Sequence, residues 1–431
     1  MRKEAVQLSG SGRACPAGAR SKQAVQRKAD QVRLRRFFER AQQQTPAVVL
    51  FSGNATGIGL LRALGRHGVP LWALDPHRDS VVLRSRFAYG SLCADPHYDE
   101  DGFVRDLVAV GRRLPQKALL IPSNDDYVDV IPRYADLLRE WFILAQPSPE
   151  RMKALGDKEQ QFRAAWRAGV DTPTTAFIKE PEDLAAAAAE VPFPALLKPA
   201  VPLAFRRRVG TKVITVDSPA ELEPAFERAR EFGTLLLQEF VPGGDDQLYN
   251  FGSYLNADSQ PLAQFTRRKL RQHPRTFGEI RFGESVWVPE VADAGLRLLQ
   301  ELRYHGISGV EFKQDPRDGR YKLMEVNARS TIISHTLAPL VGVDIPYVAY
   351  RDAIGSPITA PRQVDGVRWI QCSTDVPDSL AEILRGEMTL REWLSSLRGT
   401  RIDGILALDD PIPGLLDAAA AVRARLRRGG Q

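Results

Sequence analysis

The eight residues 323–330, LMEVNARS, place a carboxylate, a carboxamide and a guanidinium at alternate positions directly after an apolar start. Side chains alternate between the two faces of a β-strand, so Glu325, Asn327 and Arg329 share one face if the strand continues that far. Burying three polar groups on one face costs free energy unless each has a partner. The spacing therefore indicates a site for a charged ligand.

The residues before this stretch supply a second carboxylate. The segment GVEFKQDPRDGRYKLMEVN (309–327) has two strand-like runs around the turn sequence DPRDG, which predicts a β-hairpin. If Asp315 pairs with Tyr321, Glu311 lies directly opposite Glu325. Like charges that face each other at about 5 Å repel by roughly 3 kcal/mol at an effective dielectric of about 20. The pair therefore predicts a cation between the two glutamates.

Two carboxylates and an amide carbonyl form an oxygen-only ligand set, which suits Mg²⁺ with water and phosphate oxygens in the rest of its shell. Mn²⁺ is the alternative ion. The competing interpretation is a solvent-exposed face whose charge is neutralised by Lys313 or Arg329. The hairpin alone does not decide between a metal site and such a face.

Basic residues earlier in the chain favour a polyphosphate ligand. Lys198 ends the apolar run PALLKPA, Lys212 begins the run TKVITVD, and three consecutive arginines (206–208) lie in the loop 199–211 between them. A loop with this charge can close over polyphosphate. A solvated basic loop is the alternative interpretation.

The run LLLQEFVPGGDD (235–246) is an apolar strand that enters a polar turn. Backbone groups near Glu239 and Val241 could bind an adenine edge, and Asp245 or Asp246 could accept hydrogen bonds from ribose hydroxyls. Taken singly, an ordinary strand that ends in a polar turn explains this segment better.

Together and in this order, these segments resemble the ATP-grasp superfamily, and FTRRKLRQHPRTFGE (265–279) is similar to a stretch in its carboxylate–amine ligase-like branch. The resemblance covers roughly residues 46–355. It implies an α/β and α+β protein, with a Rossmann-like pre-ATP-grasp domain, a two-subdomain ATP-grasp fold and a small C-terminal region. One departure is the single glycine of loop 199–211, where many family members have several.

The resemblance also implies roles for individual residues. ATP would contact Lys158 in the sequence GDK, together with Lys198, Lys212, Gln238, Glu239, Val241 and Asp245. The Mg²⁺ ligands would be Glu311, Glu325 and Asn327. Arg329 would lie near the transferred phosphoryl group, with Arg268 and Arg271 as further anion or substrate contacts.

The elements that must position these residues divide the chain into four parts. Residues 1–45 form a basic arm, expected to be disordered or a frayed helix around Val32–Gln44. In 46–149, the runs AVVLFSG, VPLWALD and KALLIPSND alternate with helical segments, which predicts a parallel sheet. Residues 150–355 are β-rich with interspersed helices and would form the ATP-grasp domain, with strands expected at 249–255, 261–268, 307–314 and 321–327. Residues 356–431 would form a C-terminal α/β extension.

A glycine-rich turn offers a competing hypothesis. The sequence SGNATGIG (52–59) is similar to the dinucleotide-binding turn of short-chain dehydrogenases, and Asp75 ends the next strand. Such a dehydrogenase also needs a Tyr-x-x-x-Lys pair, and no tyrosine in the sequence has a lysine four residues later. The glycines are better explained by close strand–helix packing.

Composition limits the classes that remain. The sequence has no run of 18 apolar residues and no secretory h-region, which predicts a cytoplasmic protein without a membrane span. Three scattered cysteines show no metal-binding spacing. Of the net charge of +6, residues 1–44 carry +8, so the rest is nearly neutral and nucleic acid is not an expected partner.

These observations predict an ATP- and Mg²⁺-dependent ligase that joins a small carboxylic acid to an amine through an acyl phosphate. An acid–thiol ligase or kinase of the same fold and a nucleotide-binding regulatory protein are the alternatives. The acceptor would lie near PSNDDY (122–127), with Asp125 and Asp126 as amine contacts or solvated turn acids. His273, His305 and His335 are acid–base candidates, although a structural role explains each better. The oligomeric state stays open.

Overall fold

The computed structural model describes residues 30–50 and 55–428. Residues 1–29 of the basic arm, with Cys15, lie outside the described part, as does the start of the SGNATGIG turn (52–54). Among the described residues, no helix is long and apolar enough to cross a membrane.

The first sheet is parallel and five-stranded, as the alternation of strand and helix predicts, with the order β3-β2-β1-β4-β5. Its strands are β1 (Ala47–Leu50), β2 (Leu71–Asp75), β3 (Ala88–Leu92), β4 (Ala118–Pro122) and β5 (Phe142–Ile143). Its helices are α1 (30–41), α2 (Ala55–Arg66), α3 (Glu100–Gly111), α4 (Asp125–Arg133) and α5 (Ala135–Leu138). The strand order reverses between β1 and β4, which is where ligands bind in open α/β sheets.

The described end of the basic arm is a packed helix, α1, which overlaps the frayed helix expected around Val32–Gln44. In α1, Phe37 and Ala41 are buried in the core of the first sheet. The Phe37 ring meets Trp72 of β2 edge to face, with ring centroids 5.3 Å apart. The helix forms because these apolar side chains have a sheet to pack on, which composition could not reveal.

A second, antiparallel sheet has the order β6-β9-β7-β8. Its strands are β6 (Thr175–Ile178), β7 (Ala195–Pro199), β8 (Ile214–Val216) and β9 (Leu235–Glu239). The helices around it are α6 (Pro149–Leu155), α7 (Lys158–Arg167), α8 (Leu184–Glu190), α9 (Pro202–Val209) and α10 (Pro219–Ala229). The segment 199–211 is therefore not a plain loop, because most of it is α9.

The third sheet has seven strands in the order β14-β13-β10-β11-β12-β15-β16. They are β10 (Leu248–Leu255), β11 (Pro261–His273), β12 (Glu279–Ser285), β13 (Gly306–Gln314), β14 (Tyr321–Asn327), β15 (Arg368–Ile370) and β16 (Thr400–Asp403). The helices are α11 (Pro289–Glu301), α12 (Ile332–Thr336), α13 (Ile345–Ala353), α14 (Cys372–Leu384), α15 (Leu390–Ser396) and α16 (Pro411–Arg428). Short 3₁₀ turns occupy Val81–Arg84, Pro181–Asp183, Arg230–Phe232, Asp245–Gln247 and Ala338–Val341.

The C-terminal residues extend this third sheet. β15 pairs with β12 and β16 pairs with β15. The strand expected across GVRWIQCSTD ends at Ile370, and α14 begins at Cys372. The two strands lie on the β12 side of the sheet, away from the hairpin that carries Glu311 and Glu325.

The β13–β14 hairpin forms as predicted, but its register changes midway. At the turn Gln314 pairs with Tyr321, one residue away from the expected Asp315–Tyr321 pair. A bulge between Glu311 and Phe312 then shifts the register, so that Glu311 still lies opposite Glu325. Without that bulge, the two glutamates would not face each other.

Candidate active site

The two glutamates on the hairpin each have a lysine partner from another element. The Nζ atom of Lys158, the first residue of α7, lies 3.4 Å from Glu325 Oε2. Lys269 Nζ, from β11, lies 3.2 Å from Glu311 Oε2. Asn327 donates from Nδ2 to Glu325 Oε1 at 3.1 Å. The carboxylate pair, the amide and two ammonium groups thus form one polar cluster.

The residues that sequence reasoning considered for neutralising this pair are engaged elsewhere. Lys313 donates to the carbonyl oxygens of Val241 at 2.8 Å and Gly243 at 3.0 Å. Arg329 forms an ion pair with Asp125. The charge of this face is therefore balanced by lysines from α7 and β11 rather than by residues of its own hairpin.

The electrostatics favour an ionised Glu325. Burial alone would raise the pKa of this carboxyl, but the charges of Lys158, Lys212 and Lys198 and the hydrogen bond from Asn327 outweigh burial and lower its pKa below the usual range. Lys212 is exposed just before β8, so its charge acts on Glu325 without an ion pair between them among the contacts described here. Three predicted ATP-contacting lysines therefore converge on Glu325.

Lys198 is buried next to these groups. Its Nζ donates to Gln238 Oε1 at 2.7 Å and lies 5.5 Å from the ring centroid of Phe162. Burial lowers its pKa from 10.5 to about 7, and the nearby charge of Lys158 adds to the effect. A triphosphate bound here would restore the ammonium form, because opposite charge favours ionisation.

We expect nucleotide binding to take up a proton through Lys198. Since its pKa is about 7 in the nucleotide-free protein and rises on binding, affinity for a non-hydrolysable ATP analogue falls as pH rises from about 7 to about 9, by up to tenfold per unit. Calorimetric titration in two buffers of different ionisation enthalpy measures the uptake. Lys198→Arg keeps the positive charge at all these pH values, so this variant is expected to bind the nucleotide without taking up a proton. Equal proton uptake by both proteins would contradict this assignment.

The residues matched to an adenine hinge lie at the end of β9. Glu239 accepts from the Thr174 backbone N–H at 2.9 Å, and its other oxygen contacts Arg317 and Lys322. Burial would raise the pKa of Glu239, but the hydrogen bonds from Thr174 and the two cations lower it to about 2. Its side chain thus fastens the hinge to the β13–β14 turn.

Asp245, the predicted ribose contact, already accepts hydrogen bonds within the protein. Asp245 accepts from the side-chain amide of Gln272 at 2.7 Å and from its backbone N–H at 3.1 Å. Its alternative, Asp246, forms an ion pair with Arg268 at 3.0 Å. Both acids therefore tie the turn after β9 to β11, and a ribose contact by either would have to compete with these bonds.

The structure places Arg268 on the wrong face of β11 for the predicted contact. Arg268 pairs across the strands with Tyr249, and its guanidinium lies 5.8 Å from that ring centroid. Tyr249 belongs to the core cluster on the face opposite Glu311. Arg268 therefore does not face the carboxylate pair.

Arg271 also does not contact the carboxylate pair, because it forms a buried ion pair elsewhere. Its Nε and Nη2 atoms bind both oxygens of Asp375 in α14, at 2.7 and 2.9 Å, and its guanidinium lies 4.1 Å from the Phe282 ring centroid. Asp375 also faces Arg281 at 3.5 Å. Arg271 therefore connects the C-terminal extension to the sheet.

We expect Arg271→Met to affect stability rather than catalysis. Removing one partner of a buried pair leaves Asp375 with a weaker partner, Arg281, and costs about 2–3 kcal/mol of unfolding free energy. Urea unfolding measures the loss, and turnover per folded molecule is expected to change less than about threefold. If Arg271→Met had native stability but had lost turnover, Arg271 would have to act in catalysis.

Three residues that face the carboxylates were not predicted from the sequence. Arg267 and Glu311 both pair with Asn250, one on each side, so the three side chains share the face of Glu325. Arg267 and Asn250 are buried, and the Nε and Nη1 atoms of Arg267 have no hydrogen-bond partner in the structure. Lys269 is the third.

The segment FTRRKLR contains a signal for Arg267 and Lys269, which is the alternation of side chains along a strand. Alternation puts Arg267 and Lys269 on one face and Arg268 on the other. The sequence shows both sets, but only the pairing of β11 with β10 shows which set faces Glu311.

Arg329 joins the site to the first sheet. It lies beyond the end of β14 and pairs with Asp125, at the N-terminus of α4 in the segment PSNDDY. The histidine candidates do not form a catalytic group with it. His273 contacts Asp378 at 2.5 Å, and burial lowers the pKa of His305 and takes that of His335 to about 3.

The donor set fits a hard divalent cation. Among the described residues, no three His, Cys, Asp or Glu side chains cluster as a complete metal site. Glu311, Glu325 and the Asn327 amide would therefore hold the ion in part, with water and phosphate oxygens completing its shell, as is usual for Mg²⁺.

Part of this chain is similar in sequence to known proteins. Residues 288–360 match the family described as carbamoyl-phosphate synthase L chain, ATP binding domain. The chain is 25% identical over 253 residues to D-aspartate ligase of Enterococcus faecium, a match that covers 54% of this chain and 59% of that protein. The chain thus spans less than two thirds of that relative's length.

Solved structures share the fold. The βγ-ATP complex of biotin carboxylase from Campylobacter jejuni matches with a TM-score of 0.61 at 15% identity, over 74% of each chain. L-amino acid ligase of Bacillus licheniformis has a TM-score of 0.54 at 13% identity, covering 74% of this chain and 75% of that one. Together with the sheet order, these matches show that the chain has an ATP-grasp fold.

Proposed function

We propose that this chain is an ATP- and Mg²⁺-dependent ligase that joins a small carboxylic acid to an amine through an acyl phosphate. The observation that carries the proposal is the opposition of Glu311 and Glu325 across the hairpin, with lysines from other elements around them. The similarity to a protein named D-aspartate ligase supports an amino acid as one substrate.

The chemistry has two steps. A carboxylate oxygen of the acid attacks the γ-phosphorus of ATP, and the bond from that phosphorus to the ADP oxygen breaks. The amine nitrogen then attacks the acyl carbon and inorganic phosphate leaves, while the amine proton passes to solvent. Phosphoryl transfer depends on positioning and charge neutralisation, so no protein nucleophile is required.

The position of each residue in the site suggests its role in these two steps. Lys158, Lys198 and Lys212 would neutralise phosphate charge, because all three already act on Glu325. Glu311, Glu325 and Asn327 would hold Mg²⁺, whose role is to polarise the phosphoryl oxygens. Gln238, Glu239 and Val241 would border the adenine.

Arg267 would stabilise negative charge on the reacting group. It is buried on the face of the carboxylate pair, and two of its nitrogens have no protein partner. Buried nitrogens without partners cost free energy in the empty protein, and a bound anion would recover that cost. This supports assigning to Arg267 the role that sequence reasoning gave to Arg268.

The substrate that accepts the phosphoryl group would lie between Arg329 and the first sheet. Arg329 and Asp125 span this boundary at the N-terminus of α4. An amino acid carries both a carboxylate and an amine, so this ion pair could open to bind one group with each partner.

ADP release against a panel of amino acids and amines tests the proposal. A ligase releases ADP only when acid and amine are both present, with a product of the summed mass minus water. Release with an acid alone, giving a stable phosphate product, would favour a kinase. Binding of ATP without substrate-stimulated release would favour the regulatory alternative.

A further inference from the structure

The C-terminal helix α16 turns its apolar face outward. Ile412, Leu415, Leu416 and Val422 are 50%, 62%, 39% and 59% exposed. At 100° per residue these four side chains fall within a sector of about 120°. The exposed residues are thus one stripe of the helix rather than scattered leucines, and Leu408 just before the helix is fully exposed.

This orientation is set by contacts on the other side of the helix. Pro413 and Gly414 are buried, and a Cβ on Gly414 would meet Leu406 Cδ2 at 2.7 Å. Asp417 accepts a hydrogen bond from the Ser373 side chain in α14. The helix packs inward through small and polar residues, which leaves the large apolar ones in solvent.

The start of α16 is also anchored to the first sheet's helices. The buried Asp410 accepts from Arg62 Nε at 3.3 Å and Ser85 Oγ at 2.9 Å. Asp409 pairs with Arg66 at 2.8 Å. Because two acids hold this end, α16 cannot simply roll to bury its apolar stripe without breaking a buried ion pair.

The positive charge at the end of α16 favours an anionic partner. Residues 418–431 contain four arginines (423, 425, 427 and 428) and no acidic residue. An apolar stripe that continues into a basic end fits an anionic lipid surface, where leucines enter the headgroup boundary and arginines meet phosphate. A second copy of the chain would have to place an acidic surface against the same arginines.

We propose that α16 binds the protein peripherally to membranes that contain anionic phospholipid. The helix would lie in the plane of the interface with Ile412, Leu415, Leu416 and Val422 toward the acyl chains. This surface is distinct from the Glu311–Glu325 site, so the proposal does not depend on the proposed ligase activity.

Vesicle co-sedimentation of the full chain tests the proposal. We expect binding to vesicles of phosphatidylcholine with phosphatidylglycerol at low salt, and much weaker binding to phosphatidylcholine alone or at high salt. Leu415→Glu with Leu416→Glu is expected to lower binding by at least about tenfold, because each leucine loses its burial and adds repulsion. Arg423→Glu, at an exposed position, is expected to lower it as well.

The matched control is Leu92→Glu with Leu137→Glu, which changes two comparably exposed leucines of the first sheet's region. This variant is expected to bind like the native chain. Equal binding by the α16 variants and the native chain would overturn the proposal and assign vesicle binding elsewhere, such as the basic arm. No binding to anionic vesicles, or a concentration-dependent dimer that the α16 variant abolishes, would also overturn it.

Discussion

Glu325→Gln is expected to lower the rate of ADP formation by about 10³-fold or more, because it removes a carboxylate that would hold Mg²⁺ against the transferred phosphoryl group. Nucleotide affinity measured without metal should change much less, since the adenine and lysine contacts remain. The expected signature is loss of turnover together with loss of the Mg²⁺ dependence of nucleotide binding.

Glu301→Gln on α11 is the matched control, because Glu301 makes a surface ion pair with Arg167 and surface pairs contribute about 0–1 kcal/mol. Its turnover should equal that of the native chain. Glu325→Gln should also fold normally, since it relieves repulsion with Glu311 while Asn327 can still bond the new amide. Normal Mg²⁺-dependent turnover by Glu325→Gln would refute the metal assignment.

Arg267→Met is expected to lower kcat by about 10²–10³-fold while raising thermal stability. Burial lowers the pKa of Arg267 to about 10, although the charge of Glu311 opposes this shift. Removing a buried guanidinium with two unpartnered nitrogens should stabilise the empty protein by about 1 kcal/mol. Thermal unfolding and steady-state kinetics on the same preparation measure both effects.

Arg268→Met is the adjacent control for this prediction. It removes the same charge one residue away, but on the opposite face of β11, where the guanidinium meets Asp246 and the Tyr249 ring. Its kcat should stay within about threefold of the native value, as for most surface changes. If Arg268→Met lost turnover and Arg267→Met kept it, the face assignment of β11 would be wrong.

The strands of the third sheet show which elements can be predicted from local sequence patterns. The predicted strands 249–255, 261–268, 307–314 and 321–327 correspond to β10, β11, β13 and β14 within a few residues. Their alternating apolar residues and turn residues are local signals. β12 was not predicted, because its Arg281 is buried through a contact with Glu382 of α14, which the local pattern of Glu279–Ser285 does not show.

The amino-acid sequence by itself determined the order of the chemical groups and the likeness to the ATP-grasp superfamily. The lysines, the hairpin and the Glu-x-Asn strand depend on residue type and short-range spacing, which the sequence contains in full. It could also show that Arg267 and Arg268 lie on opposite faces of one strand.

Only the tertiary structure decided which groups meet. The β13–β14 bulge, the β10–β11 pairing and the burial of Arg271 against Asp375 depend on contacts between residues far apart in the chain. Such contacts select one face or partner among several that local pattern leaves equivalent, because strand register is set by packing across the whole sheet. For this reason Arg267 faces the glutamates, and Arg268 and Arg271 do not.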